Sequence, residues 1–227
     1  MVNVYLAHDL LWGMTVQQLP ADAPEWVFDS IRAGHPVVVR RALGAAGEIP
    51  VGVRGRLREH RFAAGMRVDS VRQRVQPESL CHVSSERDLP ALHALKHLRP
   101  MLDDCGWVWG VSGSAGFELA SAGFELASAG FELVGAKFHL ASAPLALHPH
   151  SDLDLILRTP EPLPRLQARE LLKILDSAAC PVDMQLQTPL GAVALREWAG
   201  RSDRVLLKQA CGACLTADPW NQREQAA

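Results

Sequence analysis

The chain has 227 residues, of which 48% are hydrophobic and 21% charged, a balance typical of a globular rather than a disordered protein. It contains no apolar run of about 18 residues, so we expect no membrane span, and its first residues do not resemble a signal peptide. Five cysteines, an odd number without the spacing of a disulfide framework, favour a cytoplasmic location.

The charge is unevenly distributed along the chain. A net charge of -2 argues against a nucleic-acid partner, but residues 32–74 contain ten arginines and only three acidic residues. One segment is therefore strongly cationic and suited to a small anionic ligand.

The N-terminal part is predicted to begin with an entry helix at residues 8–13, followed by a proline-rich loop. Two strands rich in β-branched residues follow at 36–40 and 49–54, separated by a glycine-rich turn. In the second strand, valines alternate with glycine and Arg54, which places arginine on a solvent-facing or ligand-facing surface.

A change to polar composition around residues 77–90 indicates a linker. We therefore predict an Arg-rich N-terminal domain at 1–88 and a second domain at 89–227. The second domain is predicted to begin with a short helix at 91–98 that Pro100 ends.

The rest of the second domain alternates between strands and helices. Its predicted strands lie at 107–111, 151–157, 181–187, 192–195 and 205–208, with an amphipathic helix at 165–178 and a further helix between or after the last two strands. The motif Cys211-Gly-Ala-Cys214 lacks a second ligand pair, so we predict packing cysteines rather than a zinc or redox site.

A heptapeptide is written four times between residues 115 and 142. The copies read AGFELAS, AGFELAS, AGFELVG and AKFHLAS. Seven residues are about two helical turns, so the phenylalanines recur along one apolar stripe. We interpret the segment as an insertion by tandem duplication that lengthens a helix or forms a helical hairpin; a ligand-binding repeat is the alternative.

The segment Ser151-Asp-Leu-Asp-Leu places two carboxylates on one face of an otherwise apolar strand. Such carboxylates are costly unless they are solvated or bind a cation. The spacing of Asp152 and Asp154 suits a divalent ion held against phosphate oxygens, and a solvated edge strand is the alternative.

Two further features strengthen the chemical interpretation. Gly113 and Ser114 lie between a strand and a helix start, where backbone N–H groups favour phosphate. Asp183, on the strand after the next helix, is a candidate third carboxylate. This order of elements is that of the nucleotidyltransferase fold of the DNA polymerase β superfamily, so we expect an α+β protein with a polymerase-β-like nucleotidyltransferase domain preceded by a smaller α/β domain.

Motifs across nearly the whole chain resemble those of the malonate decarboxylase holo-[acyl-carrier-protein] synthase family, the phosphoribosyl-dephospho-CoA transferases. They are His8-Asp-Leu-Leu-Trp12, Pro36-Val-Val-Val-Arg-Arg41, Pro50-Val-Gly-Val-Arg-Gly55, Gly113-Ser114, Ser151-Asp-Leu-Asp-Leu155, the segment Thr188-Pro-Leu-Gly-Ala-Val-Ala-Leu-Arg-Glu-Trp198 and Asp218-Pro-Trp220. The resemblance implies transfer of 2'-(5''-triphosphoribosyl)-3'-dephospho-CoA to a serine of the decarboxylase acyl carrier protein subunit, with release of pyrophosphate.

The chain departs from the family pattern at two places. The interval between Gly113 and Ser151 is longer than in the family, and three added heptads account for the difference. Near the C-terminus, Gly212-Ala213 stands where relatives tend to have Gly-Pro.

The acidic residues are predicted to form a magnesium site. Asp152 and Asp154 would bind one or two Mg²⁺ that bridge the triphosphate, while Asp183 would complete the site and help to deprotonate the carrier serine.

Two further groups of residues are predicted to bind the substrate. Gly113 and Ser114 would hold the pyrophosphate leaving group. Four arginines would bind the remaining phosphates through their planar guanidinium groups: Arg40, Arg41, Arg54 and Arg56.

Two other functions are compatible with these residues. One is another NTP-dependent transferase of the same fold, and the other is a non-catalytic scaffold that binds the carrier. Retention of all three carboxylates argues against the scaffold, because a catalytically inactive site has no need of charged residues in apolar strands.

Overall fold

The computed structural model describes residues 5–55, 57, 59–120 and 147–221. The chain divides into two compact units. Among the described residues, the first unit holds those up to Ser85 together with 116–120 and Leu147, and the second holds Glu86–Ala115 and those from His148 onward.

The first unit is built on an antiparallel five-stranded sheet. Its strands are β1 (Leu10–Trp12), β2 (Val37–Val39), β3 (Glu48–Arg54), β4 (Arg61–Arg67) and β5 (Gln73–Val75). Their order across the sheet is β4-β3-β2-β1-β5. Strands β2 and β3 confirm the two predicted β-branched segments.

The predicted entry helix at residues 8–13 is wrong, because this segment contains strand β1. Leu10 pairs with Val38 of β2 and with Val75 of β5, so the backbone groups of β1 are satisfied by two neighbouring strands. A helix this short would be marginal on its own, and burial of all three β1 side chains in a sheet outweighs it.

Helix α1 (Glu25–Arg32) packs on one face of this sheet. Val27 and Ile31 of α1 are buried in a core with alternate residues of β3, including Val51 and Val53. Three short 3-10 helices complete the unit: Val16–Gln18, Val68–Ser70 and Pro77–Leu80.

The second unit is built on a mixed six-stranded sheet. Its strands are β6 (Val108–Val111), β7 (Leu153–Arg158), β8 (Val182–Thr188), β9 (Gly191–Ala194), β10 (Val205–Gln209) and β11 (Gly212–Thr216). They lie in the order β11-β10-β9-β8-β7-β6, and β7 and β8 are parallel while the other neighbours are antiparallel. The five predicted strands are confirmed, whereas β11 was not predicted, since Thr216 at its end is its only β-branched residue.

Four helices belong wholly or partly to the second unit as described. They are α2 (Pro90–Asp103), α3 (residues 113–120, which crosses the boundary between the units), α4 (Arg165–Leu175) and α5 (Leu195–Ala199). Helix α4 confirms the predicted amphipathic helix and connects the parallel strands β7 and β8, as parallel pairing requires.

The prediction that Pro100 ends the first helix of the second domain is wrong, since α2 continues to Asp103. Proline at position 100 removes the hydrogen bond to the carbonyl of Lys96, and both residues are exposed. Water can therefore satisfy this carbonyl, while Leu98 and Leu102 hold the last turn in the core.

The fold class is α+β, as predicted, with two sheets and their helices. The expectation of an α/β type for the N-terminal domain is wrong, because the sheet of the first unit is antiparallel throughout. Residues 115–120 of the heptapeptide repeat are helical, and the remaining copies lie outside the described residues. All five cysteines are free thiols. In the part of the chain that the structure describes, no helix has the length and apolar character needed to cross a membrane.

Candidate active site

Two carboxylates of the second unit meet across the parallel pair of strands. Asp154 of β7 is the register partner of Asp183 of β8, so both side chains project from the same face of the sheet. The neighbouring leucines of β7, Leu153 and Leu155, are buried, which fixes the face on which Asp154 lies. Asp154 is partly buried and Asp183 exposed.

Gly113 lies directly against the Asp154 carboxylate. A Cβ atom at position 113 would overlap Oδ2 of Asp154, and the glycine has a φ of +61°, in the left-handed region. The backbone N–H of Ser112 donates to the carbonyl of Asp154 at 2.9 Å, which joins this turn to β7. The structure thus brings together the glycine turn and the acidic strand, which are far apart in the chain.

Ser114 follows at the start of α3 and is buried. Because the helix begins here, its first backbone N–H groups are not used by the helix itself. The turn therefore provides N–H donors beside a carboxylate.

Asp152 precedes β7 and lines a cavity of about 510 Å³ together with Asp183. The cavity lies at the N-terminal ends of β7 and β8, where the loop after α4 also contributes Cys180. Arg196 of α5 lines the cavity as well, and its Nη2 lies 2.9 Å from Oδ1 of Asp176.

The Cys180 thiol reports on the electrostatics of this cavity. Burial raises the pKa of Cys180, and the negative charge of Asp152 raises it further. The thiol therefore stays protonated at neutral pH, because both effects disfavour the thiolate.

The carboxylates present fit one kind of metal site. Among residues that the structure describes, no group of three or more His, Cys, Asp or Glu side chains is placed to hold a metal ion. Mg²⁺, however, is commonly bound by one or two carboxylates together with substrate phosphates. The in-register pair of Asp154 and Asp183 matches that donor set.

The predicted arginines lie in the first unit. Arg40 is exposed and its side chain lies near Gly52, while Arg54 ends β3 opposite Arg61 of β4. Arg41 is partly exposed, and Arg56 lies outside the described residues. The alternation predicted for β3 holds, since its valines face the core.

The hairpin that carries Arg54 is anchored to α1. The Ser30 hydroxyl donates to the Arg54 carbonyl at 2.9 Å. The rings of Trp26 and His60 stack with centroids 4.6 Å apart, and they leave no room for a side chain at Gly55. These contacts give the arginine-bearing end of β3 a defined position within its unit.

Two cavity residues were not singled out from the sequence. Arg196 lies in a helix of only five residues and Cys180 in a loop, so neither shows a periodic pattern. The sequence feature that could have identified Arg196 was its position within the motif at 188–198.

The fold and the site define an α+β protein whose second unit sets an acidic strand pair against a glycine turn. Residues 6–77 match the N-terminal domain of the family described as phosphoribosyl-dephospho-CoA transferase MdcG, and residues 79–219 match its C-terminal domain. The chain belongs to this family.

Similar curated proteins carry the same description. A phosphoribosyl-dephospho-CoA transferase of Pseudomonas fluorescens (strain Pf0-1) is 61% identical over 227 residues, covering 100% of both chains. One from Pseudomonas syringae pv. tomato is 50% identical, covering 99% of this chain and 97% of the relative. One from Azotobacter vinelandii is 48% identical, covering 95% and 94%. No solved structure matches this chain.

Proposed function

We propose that this protein transfers 2'-(5''-triphosphoribosyl)-3'-dephospho-CoA to a serine of the acyl carrier protein subunit of malonate decarboxylase. Family membership supports the transfer of a phosphoribosyl-dephospho-CoA group. The observation that carries the proposal is the contact of Asp154 with Gly113 on one side and its register with Asp183 on the other.

The reaction is an in-line displacement at the α-phosphorus of the triphosphate. The serine Oγ forms a new P–O bond, and the bond from the α-phosphorus to the bridging oxygen of the β-phosphate breaks, which releases pyrophosphate. The hydroxyl proton passes to the carboxylate of Asp183. The product is a phosphodiester between the carrier serine and the prosthetic group.

The glycine turn is proposed to hold the leaving group. Backbone N–H groups at Gly113 and Ser114 donate to the pyrophosphate oxygens as negative charge accumulates there. Gly113 suits this role because the absent side chain allows close approach of both Asp154 and a phosphate.

The proposed metal is Mg²⁺, held by Asp154 and Asp183 with Asp152 beside them. When bound, Mg²⁺ supplies charge neutralisation of the phosphate oxygens. The order glycine turn, helix, acidic strand, helix, acidic strand supports a nucleotidyltransferase fold for the second unit.

The arginines and the cysteines support two further parts of the proposal. Arg40, Arg41, Arg54 and Arg56 bind the other phosphates of the substrate, since the cationic segment carries far more arginines than acids. A cytoplasmic location agrees with five free thiols.

The test is transfer to purified carrier in the presence of Mg²⁺, followed as a mass increase of the carrier. Asp154→Asn should lower the rate by roughly 10³-fold, because a metal ligand contributes several kcal/mol to transition-state stabilisation. Asp203→Asn, an exposed site, is the matched control and should transfer normally.

Three outcomes would contradict the proposal. Normal transfer by Asp154→Asn would remove the site assignment. Turnover of ATP without the carrier would favour another nucleotidyltransferase of the same fold, and carrier binding with no mass increase in the wild type would favour a scaffold.

A further inference from the structure

Asp152 and Asp183 of the proposed metal site lie on the wall of a cavity whose other residues have no role in the proposed reaction. It has a volume of about 510 Å³ and opens at the N-terminal ends of β7 and β8. Short side chains form much of its wall, including Ala178, Ala179 and Pro181. No large side chain of the loop after α4 therefore lines the cavity.

The order of the strands indicates on which side of the reacting phosphorus the cavity lies. The turn at Gly113 follows the edge strand β6, Asp154 lies on β7, and Asp183 lies on β8, on the side of β7 opposite to β6. In an in-line displacement the incoming and leaving oxygens lie on opposite sides of the phosphorus. If pyrophosphate leaves at the β6 side, the hydroxyl must approach from the β8 side, where the cavity lies.

The charge of the lining argues for the acceptor rather than the nucleotide as occupant. Three carboxylates, Asp152, Asp176 and Asp183, face one guanidinium, that of Arg196. The guanidinium of Arg196 is paired with Asp176, and Asp152 and Asp183 belong to the proposed magnesium site. The residues that line the cavity therefore offer a polyphosphate no cation that is not already paired, whereas an uncharged polypeptide segment needs none.

We propose that this cavity binds the segment of the acceptor protein that carries the target serine, and that the segment is uncharged around it. This inference rests on the proposed function, since it takes its direction from the same reaction. Arg196 is a specificity residue at the rim, where its remaining N–H groups donate to main-chain carbonyl oxygens of the acceptor.

The first test fills the cavity with a large side chain. Ala179→Trp, at an exposed loop position, should raise the KM for the carrier about tenfold or more and leave the KM for the CoA substrate and the Tm unchanged. Ala213→Trp on β11 is the matched control, because this exposed alanine does not line the cavity.

A second pair of variants tests the proposed contact of Arg196 with the acceptor. Arg196→Ala should raise the KM for the carrier about tenfold, and Arg201→Ala, an exposed arginine outside the cavity, should not. A rise in the KM for the CoA substrate in Ala179→Trp or Arg196→Ala would assign the cavity to the nucleotide and overturn the inference. Unchanged kinetics in both variants would also overturn it.

A footprint without turnover separates this inference from the proposed function. Cys180 lines the cavity and Cys211 is exposed outside it. Unmodified carrier, added without the CoA substrate, should slow alkylation of Cys180 by iodoacetamide several-fold and leave Cys211 unaffected. Absence of protection with normal transfer would defeat only the inference, whereas protection without any transfer would defeat only the proposed reaction.

Discussion

At the scale of single residues, Gly113 combines two constraints that no other residue type satisfies together. Its φ of +61° is disfavoured for residues with a Cβ, and the position of that Cβ is occupied by the Asp154 carboxylate. The first constraint concerns the backbone alone, while the second links the turn to the proposed chemistry. The effect of the positive φ and the effect of the Asp154 contact can be separated by comparison with another glycine.

Gly113→Ala should reduce the transfer rate by about 100-fold, because displacement of a reacting group by about 1 Å has effects of that size. Gly106→Ala is the control: Gly106 has a φ of +77° but open space where its Cβ would lie. Both variants should lose about 1–2 kcal/mol of stability from the backbone. Equal activity in the two variants, measured with equal amounts of folded protein, would contradict the role of the Asp154 contact.

The carboxylate of Asp218 accepts hydrogen bonds that make the stability of the fold depend on pH. Burial acts to raise the pKa of Asp218, but hydrogen bonds from the Asn221 side chain and from the backbone N–H groups of Trp220 and Asn221 outweigh it. The net result is a pKa below the ordinary value for Asp. The carboxylate therefore stabilises the folded state above about pH 4, and this contribution is lost as the pH falls through the lowered pKa.

Asp218→Asn should remove this pH dependence, because an amide oxygen still accepts backbone hydrogen bonds but carries no charge. The wild type should have the higher Tm at pH 7, and the difference should shrink as the pH is lowered to about 3. A difference in Tm that stays constant across this range would contradict the assignment.

At the scale of elements, the acidic strands and their helix illustrate how a parallel pair builds a site. Alternation buries the leucines of β7 and leaves its carboxylate on the other face. Helix α4 then returns the chain so that β8 begins beside β7, with Asp183 level with Asp154. The alignment of the two carboxylates thus depends on the α4 connection as much as on either strand.

Helix α2 provides a stability prediction at the same scale. Pro100 lies inside α2, where proline lacks the N–H that would bond to the carbonyl of Lys96. Pro100→Ala should raise the free energy of unfolding by about 1–3 kcal/mol, because it restores that bond and improves helix propensity. Urea denaturation measures this change, and a lower midpoint in the variant would mean that proline stabilises this turn.

At the scale of the whole molecule, the predicted substrate-binding residues are divided between two units. The carboxylates and the glycine turn belong to the second unit, and the described arginines, Arg40, Arg41 and Arg54, belong to the first. The contribution of the first unit can be measured directly as binding.

Arg54→Ala should weaken binding of the CoA substrate by roughly 10–100-fold, the range expected for loss of a hydrogen bond to a charged group. The strand should remain folded, because Ser30 holds the main-chain carbonyl of Arg54 and not its side chain. Arg32→Ala removes the same charge from the exposed face of α1 and serves as the control. Calorimetry showing equal affinity for both variants would remove Arg54 from the substrate site.

The sequence alone was sufficient for features that depend on neighbouring residues. Period-2 alternation predicted β3, β7 and β8, apolar periodicity predicted α4, and the motifs predicted the family. Local rules failed where tertiary partners decide the outcome: residues 8–13 form a strand because two neighbours satisfy β1, and α2 continues past Pro100 because its last turn is buried on one side.

Only the tertiary structure placed the candidate residues relative to one another. The contact of Gly113 with Asp154, the register of Asp154 with Asp183 and the position of Arg196 at the cavity all join residues distant in the chain. The local sequence determines which residues alternate between the faces of a strand and which residues can form turns, because these preferences depend on the geometry of the adjacent backbone and side chains. Long-range register depends instead on which strands share hydrogen bonds, and this is decided only when the core is packed.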